Sequence, residues 1–132
     1  MENVWLNLPV KNLEKTEKFY KEIGFKPNGE HYKNEQLVSF LAGTNELIIH
    51  FFKKEILEKF IETAICDTSQ SNELIITIGS NSEEEIMELA EKIKNSDGKI
   101  LKKPQRDDKY FGCTFEDPDG HKWNFLLLEK GM

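Results

Sequence analysis

Val4-Trp5-Leu6-Asn7-Leu8-Pro9-Val10 alternates apolar side chains with others, the period of a half-buried strand. Asn12 then stands where a helix N-cap belongs. Leu13, Thr16, Phe19, Tyr20 and Ile23 fall on one helical face, and Gly24 marks the stop. Sixty-odd residues later the same order returns. Glu73-Leu74-Ile75-Ile76-Thr77-Ile78-Gly79-Ser80 reads as a strand. Ser82 with Glu85 forms a capping box, and Ile86, Leu89, Ala90 and Ile93 give the helix a buried face up to Asp97-Gly98. This echo decides the fold.

Working outward, strands are expected at 35–42 and 46–53, joined at Gly43-Thr44-Asn45. Further strands are expected near 99–102, 110–116 and 121–128, the last two joined by the turn Asp117-Pro118-Asp119-Gly120. One more strand is expected near 25–33, and Lys54 to Glu62 has helical spacing. The reading is α+β: two tandem βαβββ modules, residues 1–66 and 73–132, linked by the polar run 67–72. Their curved mixed sheets would enclose a groove, with the helices at 12–23 and 82–95 outside. The modules are small to stand alone, so residues 1–132 are read as one domain. A single ferredoxin-like sheet is the alternative, and eight strand-like segments are too many for it.

The chain has 132 residues, 38% hydrophobic and 32% charged, with a net charge of −6. An acidic chain without a basic run makes nucleic acid or an anionic membrane a poor partner. No stretch approaches the ~20 apolar residues of a membrane span, and Met1-Glu2-Asn3 opens no signal peptide. Cys66 and Cys113 lie far apart without CxxC company, which fits a reducing cytoplasm and no structural zinc.

Asn7 to Lys15 with Phe19-Tyr20 and Gly24-Phe25 resembles the opening of the vicinal-oxygen-chelate superfamily. Phe115-Glu116-Asp117-Pro118-Asp119-Gly120-His121 resembles its closing signature. Glyoxalase I, extradiol dioxygenases, fosfomycin-resistance enzymes and bleomycin-resistance proteins are members. Asp67-Thr68-Ser69 leading into Glu73 resembles a branch called lactoylglutathione lyase-related. The resemblance implies the paired-module fold and a homodimer, the latter also suggested by Phe51, Phe52 and Phe60 as exposed apolar candidates. It leaves the reaction open, because the fold hosts several chemistries and pure binders.

The resemblance also implies metal ligands on the first and fourth strand of each module. Strand parity puts Val4, Leu6, Leu8 and Val10 toward the helix, and Trp5, Asn7 and Pro9 toward the groove. Ile48, His50 and Phe52 join them, as do Glu73, Ile75 and Thr77 with Lys122, Asn124 and Leu126. The ligand-like positions are then Trp5, His50, Glu73 and Asn124. Indole nitrogen gives no lone pair and an amide oxygen is a weak ligand, so no metal site and no cofactor are expected, a weak divalent ion at most. His50 and Glu73 are the candidate catalytic pair for proton transfer, and His50 reads equally as a half-buried structural histidine. Trp5, Asn7, His50, Phe52, Glu73 and Asn124 are the candidate ligand contacts. Arg106, the chain's one arginine, could clamp an anion, though Asp107 and Asp108 favour a solvated ion pair. His31 and His121 read as exposed, and Cys113 as a small buried residue. The function expected is small-molecule binding in the groove without a full metal site; the alternative is a glyoxalase-type lyase or isomerase or a dioxygenase-like enzyme.

Overall fold

The computed structural model describes residues 1–128, so the last four residues of the second expected module lie outside the described residues. Two compact units divide at Asp67 and Thr68. In the first, β1 (Leu6–Val10), α1 (Leu13–Glu22), β2 (Lys26–Pro27), β3 (Leu37–Ala42) and β4 (Leu47–Lys53) precede α2 (Lys54–Ile61). In the second, β5 (Ile75–Gly79), α3 (Glu83–Lys94), β6 (Lys99–Asp107), β7 (Tyr110–Glu116) and β8 (Lys122–Leu128) repeat the order. Each unit is a four-stranded mixed sheet, β1-β4-β3-β2 and β5-β8-β7-β6. The outer strands β1 and β5 run parallel to β4 and β8, and the remaining pairs are antiparallel. The βαβββ echo in the sequence is therefore real, and the described residues form two four-stranded sheets rather than one of five.

Helix starts follow the caps. Asn12 Oδ1 accepts from the Lys15 amide at 3.0 Å, and Ser82 Oγ from that of Glu85 at 3.1 Å. The returning arm of the second box lands elsewhere than the usual motif: Glu85 Oε1 accepts from Ser80 Oγ, to which the Ser82 N–H also donates. Gly24, at φ +96°, takes the left-handed conformation that ends α1.

In the first unit Leu8, Val10, Val38, Phe40, Ile49 and Phe51 form the core face against Phe19 and Tyr20 of α1. Tyr20 stacks on Phe51 with centroids 4.4 Å apart. In the second, Ile86, Ala90 and Ile93 of α3 cover Cys113, Phe115, Trp123 and Phe125, and the Phe115 and Trp123 rings are nearly parallel. Burying each such aromatic contributes roughly 2–3 kcal/mol, so these faces fix which side of each sheet stays open. Within the polar run, Thr68 Oγ1 donates to Asp119 O at 2.5 Å, and Asn72 Nδ2 to Gly120 O at 3.0 Å. The run is thereby tied to the β7–β8 turn.

Several expectations need correction. β1 begins at Leu6, so Val4 points into solvent at 79% exposure instead of facing the helix. β5 begins at Ile75, because its partner β8 begins at Lys122 opposite it; Glu73 stands in a bend before the strand. Phe51 and Phe52 are buried rather than exposed: Phe51 lies on the core face, and Phe52 lies edge-on under Phe60 of α2. β6 runs on to Asp107, past the 99–102 expected, with register shifts between Ile100 and Gln105, so Arg106 lies within a strand. His121 is buried, since its amide donates to Asp117 Oδ1 and holds it inside the turn.

Candidate functional site

Each sheet has one face covered by its long helix and one face on the opposite side. On that second face the strand register lines up polar side chains across the sheet. In the first unit Asn7 pairs with His50 and His50 with Ser39, while Asn28 Nδ2 donates to Ser39 Oγ at 3.0 Å. The row runs Asn7, His50, Ser39, Asn28. In the second unit Thr77 pairs with Asn124, Asn124 with Thr114 and Thr114 with Lys102. That row runs Thr77, Asn124, Thr114, Lys102. The two rows occupy equivalent strands of the repeat, and equivalent apolar positions flank them. Pro9, Ile48, Phe52, Leu37 and Leu41 do so in the first, and Ile75 and Leu126 in the second.

His50 is half-buried, with ring centroids 6.2 Å from Trp5 and 5.9 Å from Phe52. Burial lowers its pKa below the ordinary histidine value of 6.5, which keeps the ring neutral at neutral pH. It makes no hydrogen bond among the described residues, so one ring nitrogen can donate and the other accept. Trp5, 50% exposed ahead of β1, and Phe52, covered by Phe60, form its apolar surroundings. Asn7 is exposed beside it.

Asn124 is held by two neighbours. Thr114 Oγ1 donates to its Oδ1 at 2.9 Å, and its Nδ2 donates to Thr77 Oγ1 at 3.4 Å. The amide is thereby oriented, with one N–H left for a ligand. A cavity of about 470 Å³ opens over this face, walled by Ile75, Leu101 and Leu126 and bordered by Lys102, Thr114 and Asn124. A Cβ on Gly112 would strike the Leu126 side chain, so the bare glycine lets Leu126 lie flat as the floor.

The remaining candidates fall elsewhere. Glu73 is exposed and makes no hydrogen bond or ion pair among the described residues. The strand parity that assigned it to the groove ends at Ile75. Arg106 forms an ion pair, as its neighbourhood suggested, but with Glu83 of α3, and its guanidinium lies 5.9 Å from the Phe111 ring centre. A second cavity, about 640 Å³, lies in the first unit between the start of α1 and the chain before β3, lined by Lys11, Glu17, Lys33 and Lys53 among others. Its Glu17 is already bound by Tyr32, Lys21 and Lys33.

Asn28, Ser39, Thr114 and Lys102 were missed as site residues. A signal for two of them exists in the sequence: Ser39 and Thr114, like His50 and Asn124, are polar residues midway along otherwise apolar inner strands.

Two tandem βαβββ units, each a four-stranded mixed sheet with its long helix on one face, mark a class of proteins. The chain belongs to the Glyoxalase/Bleomycin resistance protein/Dioxygenase superfamily, whose model matches residues 4–125. A hypothetical protein from S. aureus is 30% identical, with TM-score 0.84 over 96% of this chain and 94% of that one. A glyoxalase-related enzyme from Fulvimarina pelagi shares 20% identity, with TM-score 0.81 over 96% and 88%. A glyoxalase/bleomycin resistance protein/dioxygenase family enzyme from Burkholderia phytofirmans PsJN shares 12%, with TM-score 0.76 over 94% and 96%. These last two show the fold alone. No protein with a curated description matches the chain.

Membership raises the question of a metal. The ligand-like positions expected from the resemblance are Trp5, His50, Glu73 and Asn124, of which Glu73 stands outside β5 and Trp5 ahead of β1. Among the described residues, no three His, Cys, Asp or Glu side chains gather as a metal-binding group. One imidazole, one carboxylate, a weak amide and an indole do not match the three or four good donors of a zinc or nickel centre.

Proposed function

We propose that this chain binds a small amphiphilic or planar organic molecule on the open sheet faces, without a resident metal. The observation that carries this reading is the pair of transverse polar rows set between apolar side chains. Such a surface offers a few oriented donors and acceptors inside an apolar frame, which is how small-molecule sites achieve both affinity and orientation. His50 supplies a neutral donor–acceptor ring, and Asn124 a fixed amide N–H. Trp5, half exposed, offers a flat face for stacking. The donor set supports a metal-free site, since two ligands short of a tetrahedron leave an ion poorly held.

Binding by a pair of chains is part of the proposal. Phe60 and Ile61 at the end of α2 are 66% and 54% exposed, more apolar surface than a lone helix end needs to show. Sedimentation of a dimer at tens of micromolar is expected, and a monomer there would remove this part.

The test uses two planar probes of equal size, 2-naphthoate and 2-naphthalenemethanol, added to the full chain. At least one should raise Tm and move the NMR resonances of His50 or Asn124 and their row neighbours. If neither probe does so, the binding reading falls. Elemental analysis checks the metal: stoichiometric zinc, nickel, iron or manganese, lost on His50→Ala, would restore the metalloenzyme alternative.

A further inference from the structure

We infer that the second unit's cavity selects an anionic head group, a carboxylate attached to an apolar body, with Lys102 as the charge that recognises it. This rests on the binding reading above and narrows it to a ligand class. Most polar groups in the 470 Å³ cavity are already engaged, and Gln105 brings an amide that can both donate and accept. Lys122 Nζ is committed, donating to Glu116 Oε2 and to Gly120 O, both at 2.7 Å. Asp107 accepts from the Tyr110 hydroxyl at 3.2 Å, at the rim. Its negative charge also raises the Tyr110 pKa, so that hydroxyl stays protonated. Thr114 spends its proton on Asn124 Oδ1, which fixes the orientation of that amide.

Asp107 keeps its negative charge at the rim, while the row beneath offers a ligand donors and one positive charge with no ion-pair partner among the described residues. The second N–H of the Asn124 amide is a donor, and the Lys102 ammonium brings three more. Lys102 has no hydrogen-bond or ion-pair partner among the described residues, although it stands in the polar row opposite Thr114. A ligand lying on Leu126 and between Ile75 and Leu101 would therefore meet donors and a positive charge in the row. A carboxylate accepts from both groups at once, and a charged hydrogen bond is about twice as strong as a neutral one. A neutral alcohol can accept from these donors but brings no charge to meet the Lys102 ammonium. A cationic ligand would leave Lys102 unmatched and face like charge.

The two naphthalene probes separate this inference from the reading beneath it. Binding of 2-naphthoate about five-fold tighter than 2-naphthalenemethanol is expected in low salt, with shifts at Thr114 and Asn124. Lys102→Gln should erase the preference by weakening the acid alone, and Lys102→Arg should restore it. Lys102 is exposed, so neither substitution threatens folding. Equal affinity for the two probes, or a preference unchanged by Lys102→Gln, overturns the anion assignment and leaves small-molecule binding standing. Binding whose shifts avoid Thr114 and Asn124 overturns the assignment too, and binding of neither probe removes both readings.

Discussion

Replacing Gly120 by alanine should destabilise the protein far more than the same change at Gly29. Both glycines have left-handed backbone, at φ +89° and +77°. That conformation alone costs an alanine about 1–2 kcal/mol. At Gly29 nothing lies within 4 Å of the added methyl, so the backbone term is the whole effect. At Gly120 the methyl would overlap the Thr68 carbonyl oxygen and approach Ser69 Cα to 2.8 Å, both main-chain atoms that cannot rotate away. The polar run must lift, and with it go the Thr68 bond to Asp119 and the Asn72 bond to Gly120. At about 0.5–1.5 kcal/mol each, those add roughly 1–3 kcal/mol. The total for Gly120→Ala is about 2–5 kcal/mol against about 1–2 for Gly29→Ala. With a urea slope of about 1.5 kcal/mol per molar, the first midpoint falls by roughly 1.5–3 M and the second by about 1 M. Equal shifts in the two urea curves would show that the polar run does not hold the turn closely, and would refute the reasoning.

Three further outcomes follow from individual side chains. Glu17 is partly buried, which raises its pKa, but hydrogen bonds from Tyr32, Lys21 and Lys33 together outweigh that and bring it from 4.5 to about 2. Its contribution is complete above about pH 5 and is lost as pH falls toward 2. Glu17→Gln should therefore remove about 1 kcal/mol at pH 7 and little at pH 2, read by thermal unfolding at each pH, the figure kept small because both lysines stand in solvent. Burial pushes the Cys113 thiol up to about 11, while Cys66 is exposed; Ellman's reagent should count one thiol in the folded protein and two in urea, and two fast thiols when folded would contradict the packing of β7. His50 should titrate by NMR with a midpoint below 6.5. The folded state then binds fewer protons than the unfolded one just below that pH, so stability drops as pH falls through this range, and a midpoint above 6.5 would mean the ring faces a carboxylate instead.

Much of the fold was legible because alternation survives wherever a strand is half-buried. Leu8 and Val10, or Ile49 and Phe51, announce their face in the sequence itself, and the caps at Asn12 and Ser82 announce the helices. The start of β5 was hidden, because Leu74-Ile75-Ile76 is apolar without a period and the partner strand, not the sequence, ends the ladder at Ile75. The expected strand stops at 102 because Lys103 and Pro104 break the apolar pattern there, although an edge strand tolerates them. Phe52 could not be placed from its own strand, since a neighbouring helix covers it. The candidate site was half visible. His50 and Asn124 emerged from parity along single strands, whereas the rows that include Ser39, Asn28, Thr114 and Lys102 run across strands and need the register.

The irregular stretch of β6 bears on how copies of this chain can meet. As the last strand of its sheet, β6 would offer free amides and carbonyls to any extended segment. Pro104 removes one amide, the register shifts beside it bend the strand, and Lys99, Lys102 and Lys103 repel an incoming lysine-bearing twin. These features disfavour sheet extension from one molecule to the next along this border. Strand addition by a second copy would therefore need another edge.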